Sequence, residues 1–312
     1  MRTAYWNGSA RLAIKLDKAG QTVWTRIYAH AGHGAIRSID VTEDGGIVAT
    51  GYADYAEAEV PFIAEEAEGF ILRTDATGEL IWQKTLPFPQ GTKVKVDRHH
   101  GGFILCSTAW TFLGGTDQQD AFLIKTDDMG NVIWTMSYGG PEYDQCYDMD
   151  LTPDGYVLGG HTTSYGEGGW NAWLVTVDPQ GELIWQRSFG EPLGGSPDLI
   201  FDECYGVKTT PDGGFVMACG TGVEPENVQN EDDPLNTWAA YIIRTNSSGK
   251  LLWEYTYHTP GQGHNAAEYI SLTRDGGFMI FLDSDNLGQM RMGNFGFLKL
   301  APELRPIDSQ QN

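Results

Sequence analysis

Carboxylates and aromatic rings crowd the same stretches of this 312-residue sequence. Acids run through Glu57, Glu59, Glu65, Glu66 and Glu68, again through Glu224, Glu226, Glu231, Asp232 and Asp233, and singly at Glu142, Asp144, Glu167, Asp198, Asp202 and Glu203. Tyr55, Phe62, Trp110, Phe112, Tyr165, Trp170 and Trp238 sit among them. Ring faces beside hydrogen-bonding carboxylates suit sugar rings, cationic groups or a basic protein surface. The plain structural alternative is a solvated acidic rim whose rings pack loops onto a scaffold.

Narrower chemistry is offered by a few positions. Asp144 and Asp202 stand eight residues before Thr152 and Thr210, and Asn265 holds the same place before Thr273. A residue repeated in this way reads as a cap on loop backbone, or as a ligand-facing group at a channel mouth. Glu142 and Glu203 lie beside them, so carboxyl pairs for sugar hydrolysis exist on paper, although only their separation in space would count. His33 and His264 precede strands and His161 ends one, but no Gly-x-Ser-x-Gly elbow supplies a nucleophile for a triad. Cys146 and Cys204 coincide between repeats and read as small buried side chains, since no His has zinc-type spacing. No cofactor is expected; calcium is the ion that carboxylate-rich loops would suit, yet the segment from Glu224 to Asp233 lacks the glycine and terminal Glu of an EF-hand.

Composition narrows the partners. With 42 acidic against 20 basic residues and a net charge of −22, the average field repels phosphate backbones and anionic lipid, so neither nucleic-acid binding nor membrane insertion is expected. No apolar run reaches the ~20 residues that cross a bilayer, and residues 1–8 lack the apolar centre of a signal peptide. Four cysteines without Cys-x-x-Cys spacing make no disulfide framework.

The elements that must position these residues are repeats. One segment recurs as RLAIKLDKAGQTVW, GFILRTDATGELIW, AFLIKTDDMGNVIW, AWLVTVDPQGELIW and AYIIRTNSSGKLLW, ending at Trp24, Trp82, Trp134, Trp185 and Trp253 with spacings of 58, 52, 51 and 68. Its short apolar strands flank Asp-x-x-Gly or Asn-x-x-Gly, where the acid or amide bonds its own backbone and Gly accepts positive φ. A second segment alternates with it around Thr-x-Asp-Gly, as at Thr42, Thr210 and Thr273. Each repeat thus has four strands, A and B around the second turn and C and D around the first, and no long helical period interrupts them.

A four-stranded antiparallel unit at this period marks a β-propeller blade, so the chain reads as an all-β, single-domain propeller over 1–312. Wedge-shaped blades leave a gap that a large ring fills, so the five repeated tryptophans read as packing, each contributing roughly 1.5–3 kcal/mol of burial. Five A–B and five C–D hairpins, with C–D first, favour five blades in which N- and C-terminal strands complete one blade. Phe295–Leu300 reads as a surplus C strand competing with Leu12–Leu16. It leaves open six blades, two of them incomplete, or an end exchanged with a neighbouring chain, and so an oligomer formed through terminal strands.

The Thr-x-Asp-Gly-Gly, strand, Asp-x-x-Gly, Trp pattern resembles the tandem propeller repeats of bacterial and archaeal secreted or surface proteins over residues 11 to about 300. It is similar, more distantly, to the tryptophan-docking blades of quinoprotein dehydrogenases. The first resemblance implies a propeller fold and an extracellular or cell-surface location, with no common activity. The second implies no chemistry here, because the chain has no adjacent cysteine pair and no metal-plus-quinone constellation.

The B–C connections, Ala53–Glu68, Ala109–Gln119, Thr162–Asn171, Thr221–Thr237 and Ser284–Gly293, and the D–A connections hold the length variation. Variable loops on a rigid scaffold are where binding concentrates. The expectation is a non-catalytic recognition module for a glycan or a protein, with Trp110, Trp170, Trp238, Asp144, Asp202, Glu142, Glu203, His161 and His264 at its site. The alternatives are a glycoside-hydrolase-like enzyme using acids among Asp144, Asp202, Glu142 and Glu203, and an oligomeric scaffold.

Overall fold

The computed structural model describes residues 11–28, 32–56, 66–113, 116–192, 194, 197–223, 238–258, 265–284 and 294–301. The expected class is the observed one: an all-β, five-bladed β-propeller of antiparallel blades, with no helix among the described residues and so none that could cross a membrane. The chain divides into two compact units, Met1–Tyr138 and Gly139–Asn312.

In the first unit, β1 (Arg11–Leu16) and β2 (Thr22–Tyr28) form a two-stranded sheet. Two full blades follow in A-B-C-D order: β3 (His33–Val41), β4 (Ile47–Tyr55), β5 (Glu68–Thr74) and β6 (Leu80–Thr85), then β7 (Lys93–Val96), β8 (Phe103–Leu113), β9 (Thr116–Thr126) and β10 (Val132–Tyr138). The second unit holds two more: β11 (Asp144–Thr152), β12 (Gly155–Thr162), β13 (Asn171–Val177) and β14 (Leu183–Phe189), then β15 (Ile200–Thr209), β16 (Phe215–Val223), β17 (Ala239–Thr245) and β18 (Leu251–Tyr257). Its last sheet is β19 (Asn265–Leu272), β20 (Phe278–Ser284) and β21 (Asn294–Leu300). The third place beside β20, for which Leu12–Leu16 and Phe295–Leu300 compete in sequence, is taken by β21. The expected loop Ala109–Gln119 is instead largely strand, with β8 and β9 pairing out to Leu113 and Thr116.

Turn chemistry explains the hairpins. Asp75 Oδ1 accepts the N–H groups of Thr77 (2.8 Å) and Glu79 (2.9 Å), Asp127 Oδ1 those of Met129 and Asn131, and Asn246 Oδ1 those of Ser248 and Lys250. At the A–B turns Thr42 donates to Asp44 (2.5 Å) and Thr210 to Asp212 (2.6 Å). A cation on strand C then reaches the turn aspartate: Arg73 to Asp44, Lys125 to Asp97, Arg244 to Asp212 and Lys299 to Asp275, each at 2.7–2.8 Å. Lys299 identifies β21 as a true C strand, because it occupies the place of Arg73, Lys125 and Arg244.

Blades stack with a fixed polarity. The Trp of one blade lies on the C–D turn glycine of the next: a Cβ on Gly78 would meet Trp24 at 3.1 Å, one on Gly130 would meet Trp82 at 2.6 Å, and one on Gly249 would meet Trp185 at 2.7 Å. These glycines also have φ between +73° and +80°, a region that side chains other than Gly avoid. Beneath the rings, alternate strand residues face opposite ways. The forward faces carry Ile71, Leu174 and Ile242; the backward faces of the following sheets carry Ile124, Ile243 and Ile280. Each forward face is sealed against the next backward face in one apolar layer.

Candidate functional site

At the start of β11 and β15 the repeated aspartates are buried in loop backbone. Asp144 accepts from the Thr162 hydroxyl, from Ser164 Oγ at 2.6 Å and from the Gly140 N–H at 2.8 Å. Ser164 Oγ in turn accepts from the N–H of Glu142, whose own side chain is exposed. Asp202 accepts the Glu191 N–H at 2.9 Å and donates its own N–H to the Trp170 carbonyl at 2.8 Å. Asn265 repeats the second bond to the Trp238 carbonyl at 2.8 Å. These positions do what a loop cap does. Burial pushes the Asp202 carboxyl up to about 6, aided by the charges of Glu191 and Glu254 and opposed by the Thr221 hydroxyl and the Glu191 N–H.

One residue further in, the side chains converge into a ring cluster. Gln145 and His161 are register partners on β11 and β12, and His161 Nε2 meets Gln145 Oε1 at 2.8 Å. The Tyr147 hydroxyl donates to the same oxygen. An amide oxygen only accepts, so Nε2 carries the imidazole proton and Nδ1 is left with its lone pair. Nδ1 is buried and has no hydrogen-bond partner among the described residues. Burial lowers the imidazole to about 3, which keeps it neutral near pH 7.

The His161 ring centroid lies 4.8 Å from Tyr147, 4.6 Å from Trp170 and 6.0 Å from Tyr205. Tyr147 and Tyr205 meet edge-on at 5.4 Å, and Tyr143 lies 6.2 Å from Trp170 at the exposed side. Tyr147 on β11 and Tyr205 on β15 stand at β-bulges, between Cys146 and Asp148 and between Cys204 and Gly206, which turn each ring towards the residue two before it, Gln145 and Glu203. The Tyr205 hydroxyl donates to Glu203, and burial together with that carboxylate pushes the phenol up. From β19, Glu268 is raised to about 7, first by burial and then by the charges of Asp283 and Glu203.

Of the residues expected from sequence, the cluster contains Trp170, His161 and Glu203, with Asp144 and Asp202 holding the loops around it. Trp238 is buried, its ring lying where a Cβ on Gly220 or Gly222 would stand, 2.7 Å away; it packs the loop rather than facing solvent. Trp110 is exposed on β8 of the first unit. His264 lies outside the described residues, as do the acids of residues 57–65 and 224–237. The sequence reading missed Tyr147, Tyr205, Gln145 and Glu268. The signal for the first two was present in the shared Asp-x-Cys-Tyr of residues 144–147 and 202–205. All four cysteines are buried free thiols, and no group of three or more His, Cys, Asp or Glu among the described residues is arranged to hold a metal ion.

No family model matches the chain, and no curated protein matches it. Among solved structures it is similar to a GH43 endo-arabinanase from Bacillus licheniformis, at 11% identity and a TM-score of 0.40 over 84% of this chain and 92% of that one. It is also similar to a glycoside hydrolase from Parabacteroides distasonis, described there as putative, at 12% identity and TM-score 0.39 over 85% and 86%. The Pan2 WD40 domain of Neurospora crassa is a third, at 8% identity and TM-score 0.38 over 81% and 76%. Likenesses at these TM-scores carry no argument for function.

Proposed function

We propose that this chain is a non-catalytic recognition module whose ligand, a glycan or a protein segment, docks in the second unit against Trp170 and Tyr143, above the His161, Tyr147 and Tyr205 rings. The observation that carries this reading is the convergence of two sheets on one aromatic cluster beside Glu203, whose charge also acts on Glu268 of the next sheet. Half-exposed rings present apolar faces, and the carboxyl groups present acceptors to hydroxyl or ammonium donors. A ligand that binds only the folded state raises the melting temperature, by about 2.7 kcal/mol of stabilisation at a hundredfold excess over Kd. The test is a thermal-shift screen with glycans, basic peptides and divalent cations, with a chelator control. A shift abolished by Trp170→Ala supports the reading, and a shift that survives it places the ligand elsewhere.

A specific observation favours a second reading, a carbohydrate-active enzyme. Burial, with the charges of Asp283 and Glu203, raises the Glu268 carboxyl to about 7, so it could still donate a proton near neutrality, as the acid of a hydrolytic carboxyl pair must. Release of reducing ends from a bound glycan, lost in Glu268→Gln with binding retained, would select it.

A further inference from the structure

Among the buried groups that the recognition site does not use, two face each other. Cys204 on β15 and Cys219 on β16 are direct register partners in the second unit, and both are fully buried. Facing residues of antiparallel strands put their side chains on one side of the sheet, with Cα atoms about 4.5–5.5 Å apart, inside the roughly 4.4–6.8 Å that a disulfide spans. The two thiols hydrogen-bond each other, and Cys204 Sγ also lies 3.3 Å from the Ala218 carbonyl oxygen. The other two cysteines face different residues. Cys146, at the matching place on β11, is opposite Gly160, while Cys106 is opposite Lys93 and Leu123 and lies 3.1 Å from the Thr92 hydroxyl.

We infer that Cys204 and Cys219 form a redox site, closed to a cross-strand disulfide by a small-molecule disulfide of the glutathione type. One cysteine thiolate attacks a sulfur of that disulfide and expels one thiolate; the facing cysteine thiolate then attacks the protein-bound sulfur and expels the second. The pair gives up two electrons, the small disulfide becomes two thiols, and the two cysteine protons end on them. Burial sets the timing. The thiolate is the nucleophile, and burial, with the hydrogen bond to Cys204, pushes the Cys219 thiol up. The packed sheet, with Val157, Ala172 and Leu174 against the pair, therefore slows exchange. The two residues belong to one hairpin, so their register is set locally and the bond is made while the chain folds. This site is independent of the recognition site in the preceding subsection.

Thiol counting on the full chain tests it. The protein is unfolded and refolded in a buffer of reduced and oxidised glutathione and, in parallel, in excess reductant; each sample is then denatured in an alkylating agent and weighed by mass spectrometry. Of the four cysteines, two should be alkylated after the glutathione buffer and all four after reductant, with Cys204 joined to Cys219 in the peptide map. Cys106→Ala with Cys146→Ala should still close the bridge and leave no thiol to alkylate. Cys219→Ala should leave three under both conditions. Native reduced protein placed in the same glutathione buffer should close the bridge more slowly than refolding protein does. Four alkylated thiols in the wild type after the glutathione buffer, a glutathione adduct that never resolves, or a bridge through Cys106 or Cys146 would each overturn the proposal.

Discussion

Asp202→Asn should stabilise the protein at pH 8 and have little effect at pH 4. An ordinary aspartate carboxyl ionises near 3.8, and this one at about 6. The folded state therefore holds a proton that the unfolded state has released between those values, and stability falls as pH rises through that window. The contribution is fully present below 3.8 and gone above about 6. The difference corresponds to about 3 kcal/mol, at ~1.36 kcal/mol per tenfold change in proton affinity. Asn keeps an oxygen for the Glu191 N–H, turns an amide towards the Glu191 and Glu254 charges, and already stands at the matching position as Asn265. At roughly 2 °C per kcal/mol for a large domain, the melting temperature at pH 8 should rise by about 6 °C. The assay is urea unfolding of both proteins at pH 4 and pH 8. The double difference cancels the titrating groups that do not interact with Asp202 and should be about 2.4 kcal/mol, because at pH 4 the unfolded carboxyl is already partly ionised. A variant equally stable, or equally destabilised, at both pH values would refute the reasoning.

Other outcomes follow from the same geometry. His161→Gln should flatten the acid limb of the stability profile, because below 6.5 the unfolded imidazole takes up a proton that the folded one refuses down to about 3; imidazole NMR of the wild type should show one ring that does not titrate between pH 5 and 8. Gly249→Ala should cost more than about 1 kcal/mol in chemical denaturation, since it combines positive φ with a Cβ driven into Trp185. Lys125→Met should cost about 3–5 kcal/mol by leaving the buried Asp97 carboxylate without its cation, and adding Asp97→Asn should recover part of that loss.

The hairpins were legible because their causes are local. An acid two residues before two waiting N–H groups, and a glycine where φ turns positive, act whatever surrounds them. The tryptophans were legible as packing for the same reason, since each repeats at one place. The site was less so. Asp144 and Asp202 were visible as repeated positions, but Tyr147 and Tyr205 drew no notice. Their role depends on two sheets meeting, which spacing along one strand does not encode. Trp238 misled in the opposite direction: a ring in a variable loop looks available, and only the bare backbone of Gly220 and Gly222 beneath it makes a buried seat. Thr111–Thr116 looked like loop because two glycines follow Leu113, yet the flanking residues pair across them.

The bonds from Asp202 to the Trp170 carbonyl and from Asn265 to the Trp238 carbonyl have a consequence for signalling within the second unit. The residues just ahead of β13 and β17 are tethered through backbone to the start of the following sheet, at Asp202 on β15 and Asn265 on β19. Whatever stills the Trp170 loop therefore also stills the start of β15, whose Glu203 and Tyr205 line the same cluster, and by reciprocity whatever stills β15 steadies that loop. The two loops are therefore links in series along the second unit, each joined by one backbone bond to the sheet that follows it.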